Sequence, residues 1–184
     1  MSSEENMSSL ELKKYTLDNV GEQCCAARSE AVEFFQSDGV PNMQFLPPIY
    51  ARGPVEELSK HARQRLRVRN FLSRLLSIGI GVDHGLYDIE MIAVMEGSSI
   101  TNMVVRWAEF IALRREQQGF ATSYDSLLRL VTSICEHRIQ KEENGRDKDY
   151  WDEVKMWAAD PDNTDALLKL REFMSDLKEY KADA

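Results

Sequence analysis

"HARQRLRVRNFLSRLL", residues 61–76, decides the fold. Its core, "RQRLRVR", alternates strictly, and on a β-strand that alternation would put four arginines on one face. The stretch runs without a break into "NFLSRLLSI", where apolar residues recur at three- and four-residue steps, and Gln, Leu and Arg all favour helix. The whole stretch is therefore read as helix. No other segment makes a convincing strand, so the chain is expected to be all-α: a single-domain bundle of six or seven helices over residues 1–184, with 1–8 disordered.

On that helix Arg63, Arg67, Asn70 and Arg74 share one narrow face. Val68, Phe71, Leu72, Leu75 and Leu76 form the apolar arc beside it, and Arg65 and Arg69 lie on the opposite border, where long stems can lie over the core edge. Proline after Gly53 suits a helix start, and the helix is expected to end at Gly79 or Gly81.

Upstream, residues 9–36 read as one helix with Leu10, Leu17, Val20, Cys24, Ala27, Ala31 and Phe34 inward. "VPNMQFLPPIYARGP", residues 40–54, has four prolines and several large apolar residues, and is expected as an extended segment over the core. Downstream, "YDIEMIAVME" is a short helix closed by Gly97, with Ser98 or Ser99 capping the next. There Ile100, Met103, Val104, Trp107, Phe110 and Ile111 make a clear buried stripe. "TSYD", residues 122–125, reads as a capping box before a helix with Leu127, Leu128, Val131, Ile134 and Cys135 inward. Two more helices follow, one with Tyr150, Trp151, Val154 and Trp157 on one side, the last with Leu167, Leu170, Met174 and Leu177.

Composition narrows the function. The chain has 184 residues, 43% hydrophobic and 29% charged, as in folded soluble proteins. No apolar run reaches the roughly 20 residues of a membrane span, and the polar N-terminus lacks a signal peptide's apolar core, so a cytoplasmic location is expected. Three cysteines, two of them adjacent, make a poor disulfide framework. The net charge of −8 is uneven, because residues 39–74 alone are basic, at +5.

Catalytic and metal motifs are weak. His61, His84 and His137 are dispersed, and Cys135 and His137 turn to different helix faces, so no metal or cofactor is expected. No Glu-x-x-His pair occurs, which rules against a di-iron bundle. "GIGVDHG" has no preceding strand and no following Gly-Lys-Ser/Thr, and reads as a turn. Asp83, His84 and Asp88 gather there without a nucleophile. Arg129 and His137 are spaced more widely than the arginine–histidine pair of helical nucleases.

"RNFLSRLLSIGIGVDHGLYDIEMIAVMEGSSITNMVVRWAEFIALRRE" resembles a bacterial family of small helical proteins that carries only a domain-of-unknown-function label. The likeness covers about residues 60–131. It is carried by Asn70-Phe71 early in an apolar helix, by Gly85 and Asp88 at a short helix, and by Gly97-Ser98 before Trp107 and Arg114-Arg115. Two features depart from it: members often begin with a membrane-spanning segment, and an aromatic residue often precedes the glycine that Gly97 matches. The resemblance implies a helical fold and a bacterial or phage origin, and no catalytic residue, cofactor or substrate. The expected function is non-enzymatic: binding another protein, or a second copy of the chain, in an assembly. The alternative is an anionic-ligand or nucleic-acid binder using Arg63, Arg67, Asn70 and Arg74.

Overall fold

The computed structural model describes residues 8–37, 62–117, 119–141 and 146–182, and every regular element among them is a helix. The proline-rich segment and residues 1–7 lie outside the described residues, as do the side chains of Arg63 and Arg65. Eight helices are described: α1 (Ser9–Ser37), α2 (Ala62–Asp83), α3 (Ile89–Met95), α4 (Gly97–Arg106), α5 (Ala108–Arg115), α6 (Asp125–Lys141), α7 (Arg146–Ala159) and α8 (Thr164–Ala182). They form one packed arrangement in which α6 touches α2, α3, α4 and α7, while α1 lies on α2 and α3, and α8 on α7.

The stretch at 61–76 is helical from Ala62 onward, and Val68, Phe71, Leu72 and Leu75 are buried as the periodicity requires. The helix does not stop at Gly79 or Gly81 but runs through both to Asp83. Each glycine is a point of close approach. A Cβ on Gly79 would stand 2.7 Å from the carbonyl carbon of Ser126 in α6, and one on Gly81 would enter the Tyr87 ring. The stop is Gly85, at φ 69°. Hydrogen bonds from Gly85 N–H to Val82 O (2.9 Å) and from Leu86 N–H to Gly81 O (2.8 Å) close α2 in a Schellman motif.

The first helix buries Thr16, Val20, Cys24 and Ala27, whereas Leu10 and Leu17 are exposed. At 100° per residue those two leucines fall roughly 60–80° from Val20, outside the arc that faces α2 and α3. The Thr16 hydroxyl takes part of the expected apolar stripe. It donates to Leu12 O and accepts the Asp88 N–H, both at 2.8 Å, which ties α1 to the start of α3.

Gly97 does not close α3 but is the first residue of α4, buried with its α-carbon against Ile134 of α6. Glu96 occupies the cap position without a side-chain hydrogen bond, so neither Ser98 nor Ser99 caps the helix. The expected long helix after Gly97 divides at Trp107, whose backbone leaves helical geometry (φ −108°, ψ 14°), and this division raises the count to eight. The stripe is nonetheless buried: Ile100, Val104, Trp107, Phe110 and Ile111 are all in the core. Ahead of α6, Tyr124 takes a left-handed backbone (φ 70°), and the Asp125 carboxylate is held by Arg115. Leu127, Leu128, Val131, Ile134 and Cys135 then face inward, as do Trp151, Val154, Trp157, Leu170 and Met174.

Candidate functional site

The arginine face is dispersed by tertiary contacts. Arg74 reaches across to Glu30 of α1, with Nη2 2.7 Å from Oε1. Arg67 is half-buried and engaged, and Asn70 is exposed. The predicted set of Arg63, Arg67, Asn70 and Arg74 thus contains one residue already neutralised by α1 and one outside the described side chains.

The turn at 83–88 is built from structural contacts. Asp83 is paired with Arg129 of α6 at 2.7 Å, and hydrogen bonds from that guanidinium hold its carboxyl below the usual aspartate range. Asp88 caps α3 by accepting the Met91 N–H at 2.8 Å. His84 is exposed beside them. Both carboxylates are therefore committed to the fold.

Cys24 and Cys135 are buried and Cys25 is exposed, all three free. Burial pushes the two buried thiols up to about 12, which keeps them protonated and unreactive at neutral pH. Among the described residues no group of three His, Cys, Asp or Glu side chains is arranged to hold a metal ion. Trp151 and Trp157 are in the core, and Tyr150 packs edge-on against Trp151 while its hydroxyl donates to Asn102 Oδ1 at 2.7 Å. This aromatic cluster is packing, not a docking surface.

The sequence reading missed Arg115. It lies at the end of α5 with its side chain 8% exposed, and it hydrogen-bonds both oxygens of Asp162, the Asp125 carboxylate and the Ser123 carbonyl. Such a bidentate clamp has both directional and charge strength. Asp162 raises the guanidinium's pKa, burial opposes it, and Asp125 adds to the rise. The clamp joins three points far apart in sequence: the end of α5, the start of α6 and the turn between α7 and α8. The one signal in the sequence was the paired arginine in the family resemblance, and that gives no partner.

With the turn fixed, α8 runs alongside α5 and leaves a groove of about 210 Å³ between them. Its walls are Ala112 and Leu113 on one side, and Leu167, Leu168 and Pro161 on the other. Leu168 is 47% exposed, a large apolar side chain left facing solvent. The polar lining comprises Glu109, Glu116, Asp162, Thr164 and Arg171, with Asp162 held from outside the groove by Arg115. Glu109 is nearly buried and pairs with Arg171 at 3.0 Å. The volume falls below the roughly 300–1,000 Å³ of small-molecule pockets, and suits one large apolar side chain.

The chain belongs to the family described as Domain of unknown function (DUF4760), whose model matches residues 11–134. The match takes in α1 and so begins well ahead of the region that carries the resemblance. No curated protein and no solved structure matches the chain. Among the described residues no helix is long and apolar enough to cross a membrane.

Proposed function

We propose that the chain is a non-enzymatic helical binding protein of bacterial or phage origin, working in the cytosol. Its α5–α8 groove takes an apolar side chain from a partner protein. The observation that carries this reading is the exposed apolar wall at Leu168, set in a groove of about 210 Å³ that suits a single large apolar side chain. The chain's net charge of −8 favours a partner helix in which the inserted apolar residue is flanked by lysine or arginine. A second copy of the chain is the other occupant in view.

The test uses an amphipathic leucine–lysine helical peptide as the probe, with binding followed by NMR. Saturable shifts centred on Leu113 and Leu168, weakened about tenfold or more by Leu168→Asp, support the reading, since a charge placed in an apolar contact costs at least a hydrogen bond's worth of energy. Leu86→Asp, at an exposed leucine elsewhere, serves as control. Absent or uniformly spread shifts overturn it. Light scattering at tens of micromolar (a concentration at which an interface of ~6–7 kcal/mol is populated) reports self-assembly, and a strict monomer removes the second copy as occupant.

A second reading, an anionic ligand held by the arginine-bearing α2, draws support from Arg69. That residue is exposed on α2 and has no carboxylate partner among the described residues.

A further inference from the structure

Gly21 sits near the middle of α1, in a helix interior where only proline is a worse choice than glycine. Three other helical glycines are explained by close approach, since a Cβ would meet the Ser126 backbone at Gly79, the Tyr87 ring at Gly81 and Ile134 at Gly97. Gly21 is not explained in that way: beyond its own helix, a Cβ there would meet nothing within 4 Å among the described residues. The notch it leaves opens into a shallow cleft between α1 and α3, with Leu17 and Gly21 on one wall and Met91 and Met95 on the other. Leu17 and Met95 are each 42% exposed, so two large apolar side chains stand at the rim of a cleft whose floor is glycine. Apolar side chains gathered around a notch mark a surface that another chain covers.

Leu17 and Gly21 belong to a second stripe on α1. At 100° per residue, Leu10, Lys14, Leu17, Gly21 and Arg28 fall within about 60° of arc, beside the buried stripe of Thr16, Val20, Cys24 and Ala27. Their steps of three, four and seven residues are those of a seam between two paired helices. The order of charge along the seam names the occupant. Lys14 lies before Leu17, Asp18 and Glu22 lie after it, and all three are exposed. Two parallel copies of α1 would set Lys14 against Lys14. Antiparallel copies, related by a two-fold axis near Asp18 and Asn19, bring Lys14 of each alongside Glu22 of the other. The same axis brings Leu17 of each opposite Gly21 of the other, an apolar knob facing a notch that lets two helices approach closely. Asp18 faces its own counterpart near the axis, and Lys14, four residues away on the same helix, offsets that repulsion. The surface is therefore complementary to itself, as a two-fold interface requires.

We infer that the chain pairs with a second copy of itself through α1 and α3, antiparallel along α1, with Leu17 of each protomer seated in the other's cleft between Gly21 and Met95. This surface uses none of the residues that line the α5–α8 groove, so the two readings stand or fall separately.

The experiment follows the mass of the full chain by light scattering from about 1 to 200 µM, the range in which a modest interface fills. The expected result is a mass that rises with concentration to twice that of one chain. Leu17→Asp and Gly21→Gln should each weaken the dimer about tenfold or more. Gly21→Gln has open space at its Cβ, so a melt at the dilute end should show its fold as stable as the parent's or more so. Weaker association together with an undamaged fold is a result that a merely structural role for Gly21 does not give. Lys14→Glu should also weaken the dimer, and adding Glu22→Lys should restore it. Within one chain those two residues lie about 12 Å apart along the helix, so the restoration reports the contact between copies. A monomer at every concentration overturns the proposal. So does a dimer that Leu17→Asp and Gly21→Gln leave intact, or one that the double charge swap fails to restore. A dimer dissolved by Leu168→Asp instead overturns it and assigns the association to the α5–α8 groove, while an equal loss in the control Leu86→Asp overturns it as well.

Discussion

Gly79 of α2 lies directly on the backbone of Ser126 in α6, so close that a side-chain carbon would fall 2.7 Å from the Ser126 carbonyl carbon and 3.0 Å from the Leu127 nitrogen. Backbone cannot step aside as a flexible side chain can. Gly79→Ala is therefore expected to destabilise by about 1–3 kcal/mol through overpacking, outweighing the ~1 kcal/mol that alanine gains over glycine in a helix. Gly21 of α1 provides the opposite case, with nothing within 4 Å of its added Cβ. Gly21→Ala should stabilise by about 0.5–1 kcal/mol. Chemical denaturation of both variants checks the pair, and a neutral Gly79→Ala would show that α2 and α6 do not approach as described.

Trp107 is 2% exposed and packs on Phe71 with ring centroids 5.9 Å apart. Trp107→Ala should cost about 3–5 kcal/mol, the range for deleting a large buried aromatic. A melting temperature equal to the parent's would place Trp107 on the surface and contradict the core assigned to it.

Arg115→Gln removes the charged donor from two carboxylates and a carbonyl, and should cost about 1.5–3 kcal/mol. The Arg115 contact holds the Asp162 carboxyl below the usual aspartate range. A carboxyl whose pKa is depressed on folding contributes stability above its unfolded pKa of about 4, and that contribution is lost as the pH falls through the folded value. Asp162 is 60% exposed, so solvent screening holds its share to under ~1 kcal/mol. Melts between pH 7 and pH 3 should show Asp162→Asn losing less stability on acidification than the parent. Parallel curves would remove the clamp from the acid response.

Arg74 and Glu30 are both partly exposed, 48% and 35%. Arg74→Gln should change stability by less than ~1 kcal/mol, and added salt should narrow the gap between variant and parent. A large loss insensitive to salt would mean that the Arg74 stem, not its charge, is what α1 needs.

The helices were legible because burying one face of a helix imposes a three- to four-residue period. The stripes of α4, α6 and α7 could therefore be read from Ile100, Val131 or Trp157 before any contact was known. Helix boundaries were less legible where glycine was involved. Gly79, Gly81 and Gly97 read as stops, since glycine ends many helices, but two of them admit α6 and one seats Tyr87. Close approach between helices depends on which residue stands opposite, and that partner is distant in sequence.

What the sequence by itself determined is the all-helical class, the buried stripes and the family's helical character, because periodicity and propensity are local properties. What only the tertiary structure decided is which charges meet. Arg74 found Glu30 and Arg115 found Asp125 and Asp162, while Arg114 came to lie over the Phe120 ring. Coulomb interactions act through space between side chains that are 10 to 47 residues apart in the chain. No local pattern records them, so a run of arginines in sequence became several unlike environments in the fold.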